Sequence, residues 1–281
     1  MFLVIVVVLA VAAYAGYRAY ERYVVQLLTV PGCSAGTGPN AIALDFGQAA
    51  DASIIAGVAA REHLPARALT IAYATAFQES KLENLTYGDR DSVGIFQQRP
   101  SEGWGSATQL EDPAYAAQAF FGALVQIPGY TTIPVYEAAQ DVQKSADGYA
   151  YEQYTQTGEL LAADYTSTPH AVTCWYNPAT EAANQGISAA LNLTGTLDGL
   201  TDTFGRPGDE AMVTRVTRSA GSLALSASSA NGWVVANWLV SNASSYGITR
   251  ISYAGYQWTA GLTETSWQSD MGATTGGIVA S

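Results

Sequence analysis

The sequence predicts a mainly α-helical domain carrying a short β-hairpin, then a small α/β C-terminal domain, with a transmembrane or signal helix at the N-terminus. Three observations lead there. The chain opens on an uncharged run up to Tyr17. Between residues 46 and 180 apolar side chains recur with helical spacing, broken by one turn-rich stretch. Beyond a loose passage at 181–214, helix-like and alternating segments follow one another.

Phe2 to Gly16 (FLVIVVVLAVAAYAG) is strongly apolar. As a helix the run spans roughly 24 Å, and Tyr17, Arg18, Tyr20 and Arg22 would extend it to the interfaces of a hydrocarbon core of ~30 Å. Ala13-Tyr14-Ala15 also fits the small-x-small pattern of signal-peptide cleavage. Residues 1–24 are therefore read as an anchor placing the bulk of the chain on the outer, cell-wall face of the membrane, or as a signal peptide whose removal leaves a secreted protein. Residues 25–45, with Thr29 to Asn40 (TVPGCSAGTGPN), read as a linker.

Gln48 to His63 is Ala-rich, with Ile54, Ile55 and Val58 on one side, and predicts a helix. Pro65 suits the start of a second. Leu69, Ala72, Tyr73 and Ala76 then recur at i, i+3, i+4, i+7 and carry it to about Glu79. Residues 84–99 (NLTYGDRDSVGIFQQR) break the period: Gly88, Asp89 and Asp91 signal turns, and Val93 to Gln97 reads as a short strand. Helical patterns resume at Pro113, with shorter helices near 134–144, 147–164 and 168–176, closing a domain over 46–180. A linker at 181–214 precedes the tail, 215–281. There Asn231 to Ala243 predicts a helix, and Ile248 to Tyr253 and Tyr256 to Thr259 predict strands joined by Ala254-Gly255.

The composition excludes several functions. Net charge is −12, with 24 acidic against 12 basic residues and two lysines, Lys81 and Lys144. Nucleic acid is not an expected partner, because phosphate binding needs clustered Lys and Arg. Two Cys and two His, with no ligand spacing around His63 or His170, leave no zinc set; neither a metal nor an organic cofactor is expected. Cys33 and Cys174 stand far apart without a CxxC. In an exported chain they read as one disulfide, stabilising by about 3–5 kcal/mol.

The chemistry is concentrated around Phe77-Gln78-Glu79-Ser80 and Gly88 to Arg99 (GDRDSVGIFQQR). Glu79 falls at a helix C-terminus, where the negative pole of the dipole disfavours a carboxylate and favours its protonated form. A glutamic acid kept protonated is what glycosidic cleavage requires, because the leaving oxygen must receive a proton.

Glu79-Ser80 followed by Leu82 and Asn84, a turn, and Gly94-Ile95-Phe96-Gln97 resembles the lysozyme-like fold of soluble lytic transglycosylases. The run GIFQQRPSEGWG (Gly94 to Gly105), with Asp112-Pro113, Ala119-Phe120-Phe121, Ala138 to Ser145 and Tyr149-Ala150, is similar to lysozyme-like cell-wall enzymes of actinobacteria and their phages. The resemblance spans roughly 46–180. It implies a peptidoglycan lytic transglycosylase or muramidase that cleaves MurNAc–GlcNAc β-1,4 bonds, with Glu79 as general acid and then base. Ser80, Gln97, Gln98 and Trp104 would bind glycan. Asp91, like Asp89, would contact substrate or supply a second carboxylate that activates water. Transglycosylases carry a later Ala-Tyr-Asn element; Tyr176-Asn177 is the available counterpart, and Tyr176 would then bond the acid.

Trp233 to Ser281 resembles a degenerate copy of a small C-terminal domain related in shape to zinc peptidases, on Leu239, Val240, Ala243, Gly247-Ile248, Ile251, Trp258 and Trp267. Residues 202–281 contain neither His nor Cys, so no zinc site is expected there. Every candidate catalytic residue precedes 180, so the tail is expected to be dispensable for bond cleavage. The competing class is a non-enzymatic wall-binding or assembly protein of a conjugation or secretion apparatus.

Overall fold

The computed structural model describes residues 11–17, 20, 30–145, 147–208, 212–228, 230–262, 266–270, 272 and 277–281. About half of the chain is helical and 16% is strand, in two antiparallel sheets of three and six strands. This corrects the predicted mainly α, lysozyme-like domain with one short hairpin and a small α/β tail. The predicted N-terminal membrane or signal helix falls mostly outside the described residues. Residues 11–17 are helical, but among the described residues no helix is long and apolar enough to cross a membrane.

The three-stranded sheet explains part of the discrepancy. Its strands β1 (Gly32–Ala35), β2 (Ile42–Leu44) and β3 (Val172–Trp175) lie in the order β2-β1-β3. Two come from the stretch read as linker, and strands of three or four small residues offer no period to read. Val172-Thr173-Cys174-Trp175 forms a strand where a helix near 168–176 was expected, in keeping with its β-branched residues. Cys33 faces Cys174 across β1 and β3, and the two form a disulfide with Cα atoms 4.0 Å apart.

The helices of the 46–166 stretch fall near where the sequence predicts them, whereas two more, over 178–185 and 193–204, occupy the stretch read as a linker at 181–214. α1 (Phe46–Arg61) starts at a capping box: Asp45 accepts from the Gln48 N–H at 2.8 Å, and the Gln48 side chain accepts from the Asp45 N–H at 3.0 Å. α2 (Ala66–Ser80) is buried along most of its length. α3 (Ala107–Leu110), α4 (Pro113–Leu124), α5 (Val135–Gln143), a 3-10 turn (Gly148–Tyr154) and α6 (Thr155–Thr166) complete the wall around it. Gly57 lets α1 approach α8 (Leu193–Phe204): a Cβ there would lie 2.3 Å from Thr203 Cγ2. Between these parts runs the short α7 (Pro178–Gln185).

The six-stranded sheet is ordered β4-β5-β9-β6-β7-β8. Its strands are β4 (Val213–Ser219), β5 (Ser222–Ala227), β6 (Arg250–Tyr253), β7 (Tyr256–Thr259), β8 (Gln268–Ser269) and β9 (Ile278–Ala280). α9 (Gly232–Ser241) is apolar nearly all round and almost wholly buried, as a central helix must be; α10 (Ala243–Tyr246) follows it. α9 packs against α1, α6, β3 and β6, so the tail and the helical region share one continuous core. Polar links cross that contact. Asn237 Nδ2 donates to the carbonyls of Asp164 (3.1 Å) and Tyr165 (3.3 Å), and Asn242 Nδ2 donates to Ser53 Oγ at 3.0 Å. The indoles of Trp258 and Trp267 donate to the β3 carbonyls of Cys174 and Val172.

Candidate active site

Glu79 lies in the last turn of α2, half-buried. Lys81 (φ 60°) and Leu82 (φ 64°) both take the left-handed conformation and end the helix abruptly. The Leu82 N–H reaches back to the Ala76 carbonyl at 3.0 Å. Ser80 secures this reversal from inside. Its buried hydroxyl donates to the carbonyls of Ile95 (2.8 Å) and Ala76 (3.1 Å) and accepts from the Glu83 N–H at 3.1 Å. Ser80 therefore fixes the helix end against the 84–99 segment and does not line the cleft beside Glu79.

Residues 84–99 fold as consecutive turns rather than the predicted strand, with a single bridge between Val93 and Gln98. Gly94 (φ 78°) is required there, since a Cβ would lie 2.2 Å from the Leu110 carbonyl oxygen. Gln97 also has a positive φ (48°), and its Nε2 donates to the carbonyls of Gly94 (3.1 Å) and Tyr87 (3.3 Å). The local path is thus held by side-chain-to-backbone bonds.

A cleft of about 380 Å³ opens between this segment and α2, a volume within the range of small-molecule sites. Glu79, Asp89, Gln97, Gln98, Arg99 and Trp104 line it, together with Ser92, Glu102, Gln143 and Ser145. Gln143 is anchored by its Nε2 on the Phe96 carbonyl at 2.7 Å. Of the predicted site residues, Glu79, Gln97, Gln98 and Trp104 are brought together. Asp91 is not among the lining residues: its carboxylate accepts from the Ser101 N–H (2.8 Å), the Ser101 hydroxyl (2.9 Å) and Arg99 Nε (3.0 Å). The Ser101 N–H, then its hydroxyl and Arg99, lower the Asp91 pKa to about 2. Asp91 ties the turn to the following 3-10 helix, Pro100–Glu102, whereas Asp89 lines the cleft with its side chain 94% exposed.

Tyr151 was not singled out by the sequence. It lies in the 3-10 turn, 1% exposed, and its hydroxyl donates to Glu79 Oε1 at 2.6 Å. Burial first, and then the Glu79 charge, raises the Tyr151 pKa, so the phenol stays a protonated donor. The bond occupies one carboxyl oxygen, Oε1. Tyr176, the sequence candidate for this role, instead donates to the Ile248 carbonyl at 2.6 Å. No local signal distinguishes Tyr151 from its neighbour Tyr149, which is 69% exposed.

The cleft is acidic. Glu79, Asp89 and Glu102 line it against one cation, Arg99, whose guanidinium bonds Asp91 and Glu102. Among the described residues no group of three or more His, Cys, Asp or Glu side chains is placed to hold a metal ion. No protein-family model matches the chain, and no curated protein matches it.

Proposed function

We propose that the chain cleaves the glycan strands of peptidoglycan at MurNAc–GlcNAc β-1,4 bonds, with Glu79 as general acid and then general base. The observation that carries this reading is the clamped carboxyl: Glu79, held through Oε1 by the buried Tyr151 hydroxyl, on the wall of a cleft lined by amides, Arg99 and an indole. Protonated on Oε2, Glu79 gives its proton to the leaving glycosidic oxygen as the C–O bond breaks. The Tyr151 hydrogen bond stabilises the carboxylate that results.

Glu79 then takes a proton from the attacking hydroxyl. In a hydrolase the attacking hydroxyl is water, and Asp89, which also lines the cleft, is the carboxylate that would take its proton in place of Glu79. In a transglycosylase it is the 6-hydroxyl of the muramic sugar, and a 1,6-anhydro end forms. The disulfide supports an extracytoplasmic site of action, since such bonds persist in oxidising compartments.

The test is mass analysis of muropeptides released by the purified chain and by Glu79→Gln. Release by the wild type alone supports the reading, and anhydro against reducing ends, one water apart, separate the two chemistries. No release by either would leave a wall-binding protein that does not cleave, and equal release by both would place the chemistry away from Glu79.

A further inference from the structure

The tail carries a second cluster of aromatic rings, away from the residues that line the cleft. Trp233 opens α9; Tyr253 and Tyr256 come from the β6–β7 hairpin; Trp267 precedes β8; His170 precedes β3. The Trp233 ring lies 5.1 Å from Tyr253, 5.2 Å from Trp267, 5.8 Å from His170 and 6.2 Å from Tyr256, centroid to centroid. His170 lies 4.5 Å from Tyr256. Two layers are apparent. Tyr253 and Trp267, each 6% exposed, form the inner one, while Trp233, Tyr256 and His170 are half-buried and form the rim. Gly232 makes room for the inner layer, since a Cβ there would lie 1.8 Å from the Tyr253 hydroxyl.

The polar ends of the rim rings behave differently from those of core rings. Buried indoles find hydrogen-bond partners, and the buried Trp238, Trp258 and Trp267 all do so, as does the half-buried Trp175. Among the described residues the indole N–H of Trp233, the Tyr256 hydroxyl and the His170 imidazole have none, and none of the three is a buried unsatisfied group. They face solvent. His170 is also held at φ 47°, a conformation that costs energy for a residue with a side chain and that lays its ring on Tyr256. The remaining indole without a partner, Trp104, lines the catalytic cleft.

We infer that Trp233, Tyr256 and His170 form a second, non-catalytic binding site for the pyranose rings of a glycan strand. A pyranose has an apolar C–H face, which stacks on an aromatic ring, and a rim of hydroxyls, which exchange hydrogen bonds with N–H and O–H groups beside that ring. Half-buried rings with solvent-facing donors offer both. The glycan-cleaving reading enters only in the choice of probe, because stacking here needs no chemistry at Glu79.

The test uses the full chain carrying Glu79→Gln and measures co-sedimentation with insoluble peptidoglycan. Adding Trp233→Ala or Tyr256→Ala should weaken binding by about tenfold, the scale of one aromatic contact. In the Glu79 background the same substitutions should leave turnover of short soluble strands within about twofold of wild type. Tyr256→Ala and Trp233→Phe, which keeps a ring but removes the N–H, carry the test if Trp233→Ala fails to fold. Wall binding within about twofold of the parent in folded variants overturns the site. Failure of the cleavage reading looks different: Glu79→Gln then matches wild-type turnover while the Tyr256→Ala binding defect remains.

Discussion

The Tyr151 hydroxyl donates a 2.6 Å hydrogen bond to Oε1 of Glu79, joining residues 72 apart in sequence and fixing how the carboxyl faces its cleft. Removing either side of that bond separates their roles. Glu79→Gln keeps the size of the side chain but not its transferable proton, and turnover should fall by roughly 10²–10⁴-fold. Tyr151→Phe keeps the ring and loses one bond to the carboxylate that forms as Glu79 gives up its proton, so turnover should fall about 10–100-fold with little change in KM. Steady-state kinetics on peptidoglycan strands checks both. Equal kcat for Tyr151→Phe and wild type would make the contact merely structural.

Asp89 and Asp91 should part company. Asp89→Asn tests the hydrolase route and should collapse turnover only if Asp89 activates water. Asp91→Asn should act on stability instead, since its carboxylate holds Arg99 and Ser101. The folded pKa is depressed from 3.8 to about 2, so this contribution is fully present above about pH 4 and is lost as pH falls through about 2. The difference in Tm between wild type and Asp91→Asn should therefore be constant above that window and shrink within it.

Asp51 predicts the opposite slope. It lies on α1, 6% exposed, and burial first and then the Asp45 charge raise its pKa from 3.8 to about 8. The folded state holds a proton that the unfolded state releases. Stability from this group is complete below about pH 3.8 and is lost as pH rises through about 8. Asp51→Asn, which mimics the protonated form, should flatten the fall in Tm between those limits and raise Tm at pH 8. A Tm–pH profile parallel to wild type would show that Asp51 does not titrate there.

The Cys33–Cys174 bridge closes a loop of 141 residues. Cys174→Ser, or reduction of the wild type, should cost about 3–5 kcal/mol in denaturant unfolding. Non-reducing peptide mapping should recover the two cysteine-containing fragments joined.

Deletion of 210–281 should unfold the chain rather than release an active catalytic half. The deletion removes α9 from the shared core and the indoles of Trp258 and Trp267 from β3. Circular dichroism of the truncated chain decides the matter; a cooperative melt near that of wild type would contradict this.

What the sequence alone determined was local. Helix starts at Asp45, Pro65 and Pro113, the turn chemistry of 88–94 and the hairpin around Ala254-Gly255 are all written in neighbouring residues, because caps, turns and amphipathic faces act over a few positions. Glu79, Gln97, Gln98 and Trp104 could be named because they sit in one motif-bearing stretch. Only the tertiary structure decided the rest. Strand β1 pairs with the nearby β2 on one side, but its other partner, β3, lies far along the chain, with Gly32 against Trp175 and Ala35 against Val172, and short strands of small residues carry no signal of that pairing. The choice of Tyr151 over Tyr176, the withdrawal of Ser80 and Asp91 into structural bonds, and the union of tail and helical region around α9 have the same origin. Each depends on which distant backbone a side chain meets once apolar surface is buried, and sequence separation does not encode that distance.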